Sequence, residues 1–210
     1  MKFWSYPDNE IRILYIRLKR LVKGYLQPVA QRVDNNLKPQ LSMTVRTSDL
    51  KLPAPKNLPE GYYLVNYQPV LNSAWRSLIN ESDEFSELSE DAFYLAVLDQ
   101  LIPGGAGLIA FGGKLTACAS INFADSSRLT ATLNYVLTHP AHRRNGLGGM
   151  TMGIALQAAQ RCGVETIQLY TDDARLTAIK AYIKLGFSPF YEPDDLEMKT
   201  RWEVIYTKLL

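Results

Sequence analysis

The sequence contains little cysteine and no long apolar run, and each shortage excludes a class of protein. Its two cysteines, Cys118 and Cys162, lie far apart and lack the paired spacing of a metal site or a disulfide framework. We therefore expect no bound metal and interpret both as buried thiols in a reducing cytoplasm. No apolar segment is long enough to span a bilayer, and residues 1–10 lack the apolar centre of a signal peptide. We accordingly expect no integral membrane segment.

An excess of charge of one sign is also missing. The 23 Lys and Arg residues and the 21 Asp and Glu residues leave a net charge of +2, which argues against nucleic acid as a partner. The length of 210 residues allows one domain with a substantial core and an extension. We place the extension at residues 1–60 and the main domain at residues 61–210.

Residues 139–149 (HPAHRRNGLGG) predict an anion-binding loop between a strand and a helix. The strand composition of residues 133–138 stops at Pro140, which has no N–H and disfavours helix at the residue before it. Helical apolar spacing starts at Leu147 and continues through Ile154. Glycines in the loop let the backbone approach a ligand closely. The free amides at the helix start, the helix dipole and two arginines together suit a phosphate or pyrophosphate.

Two common phosphate-binding patterns do not fit this chain. A dinucleotide fingerprint would need Gly or Ala where Thr151 stands. A near match to the Walker pattern surrounds Lys114, but Leu108 replaces its first glycine and Leu115 replaces its Ser or Thr. Neither nucleotide-binding family is therefore indicated.

The pattern that does fit is Arg143-x-x-Gly146-x-Gly148 directly after a strand, and it resembles the acetyl-CoA motif of the GCN5-related N-acetyltransferases (GNAT). A second match lies at residues 174–187 (ARLTAIKAYIKLGF), which resemble the family's helix pattern Ala-Ile-x-x-Tyr-x-Lys-x-Gly-Phe. Two motifs in this order identify residues 61–210 as a member of the GNAT superfamily. The resemblance implies an α/β (α+β) acyl-CoA acyltransferase fold, in which helices flank a mixed, mostly antiparallel sheet.

The resemblance also implies a reaction, the transfer of an acetyl group from acetyl-CoA to a primary amine without a covalent enzyme intermediate. The strand before the loop would pair with the pantetheine amides, and the strand at residues 166–170 would splay away to leave a slot for the thioester. Tyr182 lies at the family's tyrosine position and is the candidate acid that protonates the CoA thiolate. A tyrosine that only packs between helix and sheet is the alternative. The candidate cofactor-binding residues are Val136, Leu137, Thr138, Arg143, Arg144, Asn145, Gly146, Leu147, Gly148, Gly149 and Arg175.

The general base is not evident from the sequence. No acidic residue lies between Ser126 and Asn145, although some relatives carry a catalytic glutamate on this strand. Asn134 and Tyr135 could instead position a water that relays the proton of the amine. Arg175 stands where many relatives have an asparagine that touches the cofactor, so it could contact either CoA or the substrate.

The acceptor cannot be named from the sequence, and either a small-molecule amine or a peptide amine is expected. Asp172 and Asp173 are the candidate carboxylates for attracting a cationic amine. Asp is also favoured at a helix start for capping alone, which is the alternative role of both residues. The alternative function is a non-catalytic sensor or regulatory module that binds acyl-CoA.

The extension carries an amphipathic pattern at residues 10–27, where apolar residues share one helical stripe opposite basic ones. Such a helix would pack on its own domain or on a second copy of the chain in a homodimer. Binding to a membrane surface or a polyanion is the alternative. A short strand is expected at residues 41–45, and the proline-rich residues 51–61 are interpreted as a linker or as an extended segment that wraps around the domain.

Patterns in the main domain predict the remaining elements. They are a strand at residues 62–67, helices at 70–80 and 87–101, a hairpin of 107–111 and 114–123, strands at 128–138 and 166–170, a helix that ends at Gly186, and a closing strand at 202–208.

Overall fold

The structure is a computed structural model that describes residues 38–52, 54, 57–82 and 84–209. The amphipathic helix predicted at residues 10–27 lies outside the described residues. Within them the chain forms one seven-stranded sheet in the order β2-β3-β4-β5-β6-β1-β7. Its strands are β1 Leu41–Arg46, β2 Tyr62–Leu64, β3 Leu101–Phe111, β4 Lys114–Phe123, β5 Thr130–Thr138, β6 Thr166–Thr171 and β7 Ser188–Phe190.

Helices flank this sheet, as the GNAT resemblance implied. They are α1 Asn72–Asn80, α2 Glu90–Phe93 with a following π-helical turn Tyr94–Leu98, α3 Leu147–Arg161, α4 Leu176–Lys184 and α5 Leu196–Leu209. Short 3-10 turns occupy Thr47–Asp49, Pro69–Leu71 and Pro140–His142. Over the described part of the chain, no helix combines the length and the apolar character that crossing a bilayer requires.

The sheet is mixed and mostly antiparallel, which confirms the predicted fold class. Strands β5 and β6 run parallel, and the other neighbouring strands run antiparallel. Strand β1 lies between β6 and β7, where Met43 faces Leu169 on one side and Pro189 on the other. A strand from residues 1–60, the segment assigned to the extension, is thus an internal part of the main sheet.

Among the described residues, two large groups and one small group of buried side chains hold the helices on the sheet. The larger group joins α3, α4 and α5 to the sheet and includes Leu156, Ile167 and Trp202. The second group places Trp75 of α1 and Phe93 of α2 over β3, β4 and β5. Burial of this apolar surface is the main stabilising contribution to such a layered arrangement.

The closing strand predicted at residues 202–208 is wrong, because this segment belongs to helix α5. Its letters WEVIYTK favour a strand by composition, but Trp202 and Ile205 are three positions apart and both are buried, which is helical spacing. The Asp195 carboxylate accepts a hydrogen bond from the Met198 N–H at 2.8 Å and caps the helix start. The tertiary contact and the cap together override the strand propensity.

The helix predicted at residues 87–101 is shorter than expected. Its start is capped by Ser89, whose hydroxyl accepts from the Ala92 N–H at 3.2 Å. Helical structure ends at Leu98, and Gln100 takes a left-handed φ of 61° that turns the chain into β3. Strand β3 therefore begins at Leu101, earlier than the predicted start at residue 107.

The two cysteines differ in environment, so the expectation that both are buried is wrong for one of them. Cys118 is buried and its thiol donates to the Tyr135 carbonyl at 3.3 Å. Cys162 is exposed because it follows the last turn of α3. Among the described residues, His, Cys, Asp and Glu form no group suited to holding a metal ion.

Candidate active site

The site begins where two parallel strands part. Strands β5 and β6 pair only from Thr130 to Thr132. Further along β5, the His139 N–H donates to the Thr116 carbonyl of β4 at 2.8 Å. Because backbone groups alternate in direction along a strand, the carbonyls of Val136 and Thr138 point the other way, towards the gap left by β6. These two carbonyls can accept hydrogen bonds from an extended ligand.

A bulge in β5 accompanies the divergence of the strands. Cys118 faces Leu137 and Ser120 faces Asn134, so two residues of β5 oppose one residue of β4. Within the bulge, Tyr135 takes a left-handed φ of 46°. A bulge bends and twists its strand, which accounts for β5 turning away from β6 at this point. The Leu137 side chain is buried in the hydrophobic core.

The predicted anion-binding loop runs from the gap between β5 and β6, called the slot below, into α3. Arg144 and Gly146 take left-handed φ angles of 66° and 74°, so the chain turns sharply before the helix. A Cβ on Gly148 would meet only the Thr138 hydroxyl oxygen, at 3.5 Å, and one on Gly149 would meet no atom within 4 Å. The start of a 15-residue helix is therefore accessible beside the end of the slot.

Other loop residues brace the loop itself. Asn145 donates to the His142 carbonyl at 3.1 Å and to the Tyr62 hydroxyl at 3.3 Å. The Tyr62 hydroxyl also lies 2.8 Å from Nδ1 of His142, which ties the loop to β2. The Leu147 side chain is buried, so only its backbone amide could serve a ligand. Arg144 is exposed.

Two arginines meet at the open edge of β5. The Arg143 Nε–H donates to the Thr138 carbonyl at 3.3 Å, and the Arg175 guanidinium lies 3.5 Å from the Val136 carbonyl. Both also pair with the same carboxylate, that of Glu84, with the Arg143 contact at 2.7 Å. The two carbonyls, the two arginines and Glu84 form a continuous polar chain along the slot.

Glu84 was not identified from the sequence. It lies between α1 and α2, 59 positions before Arg143, in a loop without a recognisable motif. The neighbouring Phe85 ring lies 5.1 Å from the Tyr135 ring and 5.2 Å from the Arg175 guanidinium, which fixes this loop over the bulge. A sequence motif confined to one strand and its following loop does not include a carboxylate that another element supplies.

Tyr182 lies on the buried face of α4. It is 4% exposed, beside the fully buried Ile179. Burial raises the pKa of its phenol, the Arg175 charge opposes that rise, and the Glu84 charge adds to it. The hydroxyl is therefore protonated at neutral pH and can serve as a proton donor.

A family model described as the acetyltransferase (GNAT) family matches residues 70–187, more than half of the 210 residues. The chain belongs to this family. A comparison with curated proteins finds no match.

Several solved structures resemble this GNAT chain. A GNAT-family protein from Novosphingobium aromaticivorans is 17% identical over 72% of this chain and 60% of that chain, with a TM-score of 0.51. A GCN5-related N-acetyltransferase from Sphaerobacter thermophilus is 15% identical over 82% of this chain and 53% of that chain, with a TM-score of 0.56. The ribosomal-protein-S18-alanine N-acetyltransferase from Escherichia coli is 21% identical over 60% of this chain and 76% of that chain, with a TM-score of 0.51. The chain spans little more than half of the first two proteins, and these similarities show the shared fold.

The three polar residues predicted to bind the acceptor occupy different environments in the GNAT fold. Asp173 is held by Arg201 of α5, through contacts of 2.7 and 3.2 Å that engage both carboxylate oxygens. Asp172 is exposed, and its carboxylate accepts a long 3.5 Å hydrogen bond from Gln40. Asn134, just before the bulge, is partly buried and donates to Asn122 at 3.4 Å. Asp172 and Asn134 remain more available to a ligand than Asp173.

Proposed function

We propose that this chain transfers the acetyl group of acetyl-CoA to a primary amine by direct attack of the amine on the thioester. The observation that carries the proposal is the gap between β5 and β6, which runs directly into the glycine-containing start of α3. Such a gap offers strand carbonyls to an amide-bearing arm and helix amides to a pyrophosphate. Acetyl-CoA, an extended molecule with both groups, has the matching chemistry.

Each part of acetyl-CoA has a proposed contact. The amides of residues 143–149 and the Arg143 guanidinium would hold the pyrophosphate, with Arg144 exposed beside them. The carbonyls of Val136 and Thr138 would accept from the pantetheine amides. Arg175 would contact the cofactor near the thioester, since it already lies 3.5 Å from the Val136 carbonyl.

Tyr182 is the proposed general acid. The amine nitrogen attacks the thioester carbon, a C–N bond forms, and the C–S bond breaks. The departing thiolate takes the proton of the Tyr182 hydroxyl, the nitrogen gives up one proton that passes to solvent, and solvent returns a proton to the Tyr182 phenolate. A buried phenol with a raised pKa keeps its proton until the thiolate appears.

The proposed acceptor is a small-molecule or peptide amine. Asp172, exposed at the end of β6, could attract its positive charge, and Asn134 could hydrogen bond to it on the other strand. The Escherichia coli protein named above acts on an alanine of ribosomal protein S18, so peptide N-termini belong in any substrate panel. We further propose a cytoplasmic location, where the free Cys118 and Cys162 stay reduced.

A second candidate function is binding of acyl-CoA without catalysis. The observation in its favour is the absence of any acidic residue from β5, the strand where some relatives carry their catalytic glutamate. Such a module would bind acetyl-CoA with the same loop and strand but release no thiol.

The deciding experiment is a calorimetric titration with acetyl-CoA followed by a free-thiol assay on a panel of amines. The panel contains polyamines, amino acids, aminoglycosides and peptide N-termini. Binding with thiol release that depends on the amine supports the enzyme. Binding without release from any amine would favour the sensor, and no binding would contradict both functions.

A further inference from the structure

Glu84 joins two arginines that come from separate parts of the site. Arg143 belongs to the loop before α3, and Arg175 immediately precedes α4. Each arginine contacts a different carboxylate oxygen of Glu84, whose side chain is 26% exposed. Glu84 is therefore positioned between the proposed pyrophosphate site and the proposed thioester site.

The contacts of Glu84 and of the neighbouring Phe85 place this carboxylate beside the bulge of β5. Its negative charge acts on both the Tyr182 phenol and the buried Cys118 thiol, raising the pKa of each. Electrostatic effects of this kind need short separations through a poorly solvated region. The loop around Glu84 is also held on the bulge of β5 by the contact of Phe85 with Tyr135. Through Arg175, whose guanidinium lies 3.5 Å from the Val136 carbonyl, Glu84 thus lies beside the slot in which the pantetheine arm and the thioester are proposed to bind.

Arg143 has two competing anions in this arrangement. Its guanidinium binds Glu84 in the structure, whereas the proposed function requires the same guanidinium for the pyrophosphate of CoA. A pyrophosphate carries more charge than one carboxylate and also binds the amides of the helix start. Cofactor binding should therefore displace Glu84 from Arg143 and leave it paired with Arg175 alone.

We propose that this exchange turns Glu84 into the general base of the reaction. In the structure each carboxylate oxygen of Glu84 is held by one arginine, so neither is free for an amine; withdrawal of Arg143 leaves one oxygen available to hydrogen bond to the amine and take its proton. Glu84 would thus accept a proton only after acetyl-CoA has bound. The inference rests on the proposed acetyltransferase function and supplies the base that β5 lacks.

The neutral amine attacks the thioester carbon, and its nitrogen becomes positively charged as the C–N bond forms. Glu84 takes one proton from this nitrogen. The C–S bond breaks, the electron pair stays on sulfur, and the thiolate takes the proton of Tyr182. A proton then passes from Glu84 to the Tyr182 phenolate through solvent, which restores both groups.

The test compares Glu84→Gln with the parent protein and with Glu87→Gln, an exposed control from the same loop. The glutamine keeps the side-chain size but can neither carry the charge nor take a proton. We expect Glu84→Gln to bind acetyl-CoA at least as tightly as the parent, because Arg143 no longer has a competing anion. We expect its kcat to fall by roughly 10²-fold or more, the usual contribution of a positioned base. Glu84→Asp, which retains the carboxylate, should recover part of that loss.

Three outcomes would overturn the proposal. An unchanged kcat in Glu84→Gln, with an active parent, would remove Glu84 from the chemistry while leaving the acetyltransferase intact. A loss of acetyl-CoA affinity that accompanies the loss of kcat would make Glu84 a structural residue of the cofactor site. No thiol release by the parent with any amine would overturn the acetyltransferase function, and the role of Glu84 with it.

Discussion

Gly107 of β3 and Thr151 of α3 approach so closely that no side chain fits between them. A Cβ atom placed on Gly107 would lie 2.2 Å from the Thr151 carbonyl oxygen. Both positions are backbone in regular elements, so neither can move without displacing a strand or a helix. This contact sets the position of α3, and with it the position of the anion-binding loop at its start.

Replacing Gly107 with alanine should therefore destabilise the fold. We expect Gly107→Ala to lower the free energy of unfolding by about 1–3 kcal/mol, as other overpacked core sites do. Urea unfolding monitored by circular dichroism measures the change. The matched control is Gly153→Ala in α3, where a Cβ would meet no atom within 4 Å. That change should be neutral or stabilising, since alanine favours a helix more than glycine does.

The pair formed by Asp173 and Arg201 predicts a structural role for Asp173. The Arg201 side chain is only 7% exposed, so Asp173→Asn would leave a buried guanidinium without a charged partner. We expect a loss of about 1–3 kcal/mol in unfolding free energy. Asp172→Asn is the control, because the Asp172 carboxylate is exposed and accepts a long 3.5 Å hydrogen bond from Gln40, so it should contribute little stability. A higher KM for a cationic amine in Asp172→Asn alone would assign substrate binding to Asp172, and an effect confined to Asp173→Asn would reverse that assignment.

Gly148 tests the pyrophosphate position. A valine there should project into the slot beside Thr138 without disturbing the fold, because the nearest atom to its Cβ would be 3.5 Å away. We expect Gly148→Val to weaken CoA binding more than tenfold, which corresponds to about 1.4 kcal/mol or more. Calorimetry measures the affinity, and an unchanged thermal unfolding midpoint checks the fold. Unaltered CoA affinity would remove the pyrophosphate from this loop.

A substitution at Tyr182 distinguishes a catalytic role of its hydroxyl from a packing role of its ring. Tyr182→Phe keeps the buried ring but removes the hydroxyl, so acetyl-CoA binding should be unchanged while kcat falls by roughly 10²- to 10⁴-fold. Because burial raises the pKa of Tyr182, the parent should keep its activity as the pH rises towards the ordinary phenol value of about 10. A deficit of less than tenfold in kcat would exclude Tyr182 as the general acid.

The position of β1 predicts that two deletions differ in effect. Removing residues 1–37 leaves β1 in the sheet, so the affinity for CoA should persist. If residues 10–27 cover an apolar surface, this deletion should also lower solubility or change the oligomeric state. Removing residues 1–57 also takes away the strand between β6 and β7 and should prevent stable folding. Circular dichroism, calorimetry and size-exclusion chromatography distinguish the two. Equal stability of both proteins would contradict a structural role for β1, and vesicle binding lost with residues 1–37 would favour a membrane-surface role.

Local patterns in the sequence determined the loop and the two elements beside it. Pro140 has no N–H to donate to a neighbouring strand and disfavours helix at the residue before it, and Gly146 supplies the left-handed turn at which α3 begins. The apolar spacing of residues 174–187 was likewise sufficient to predict α4, and the resemblance of this segment to the GNAT helix pattern implied Tyr182 as the candidate acid. These features depend on backbone geometry and helical period, which act over a few neighbouring residues.

Only the tertiary structure decided which distant residues meet. Helix α5 forms because its buried face finds partners in the core, although its composition favours a strand. Strand β1 fills a position between two strands that follow it by more than a hundred residues. Glu84 reaches Arg143 and Arg175 because the loop after α1 lies over the bulge of β5. No spacing along the chain encodes such contacts, since they arise from how whole elements pack against one another.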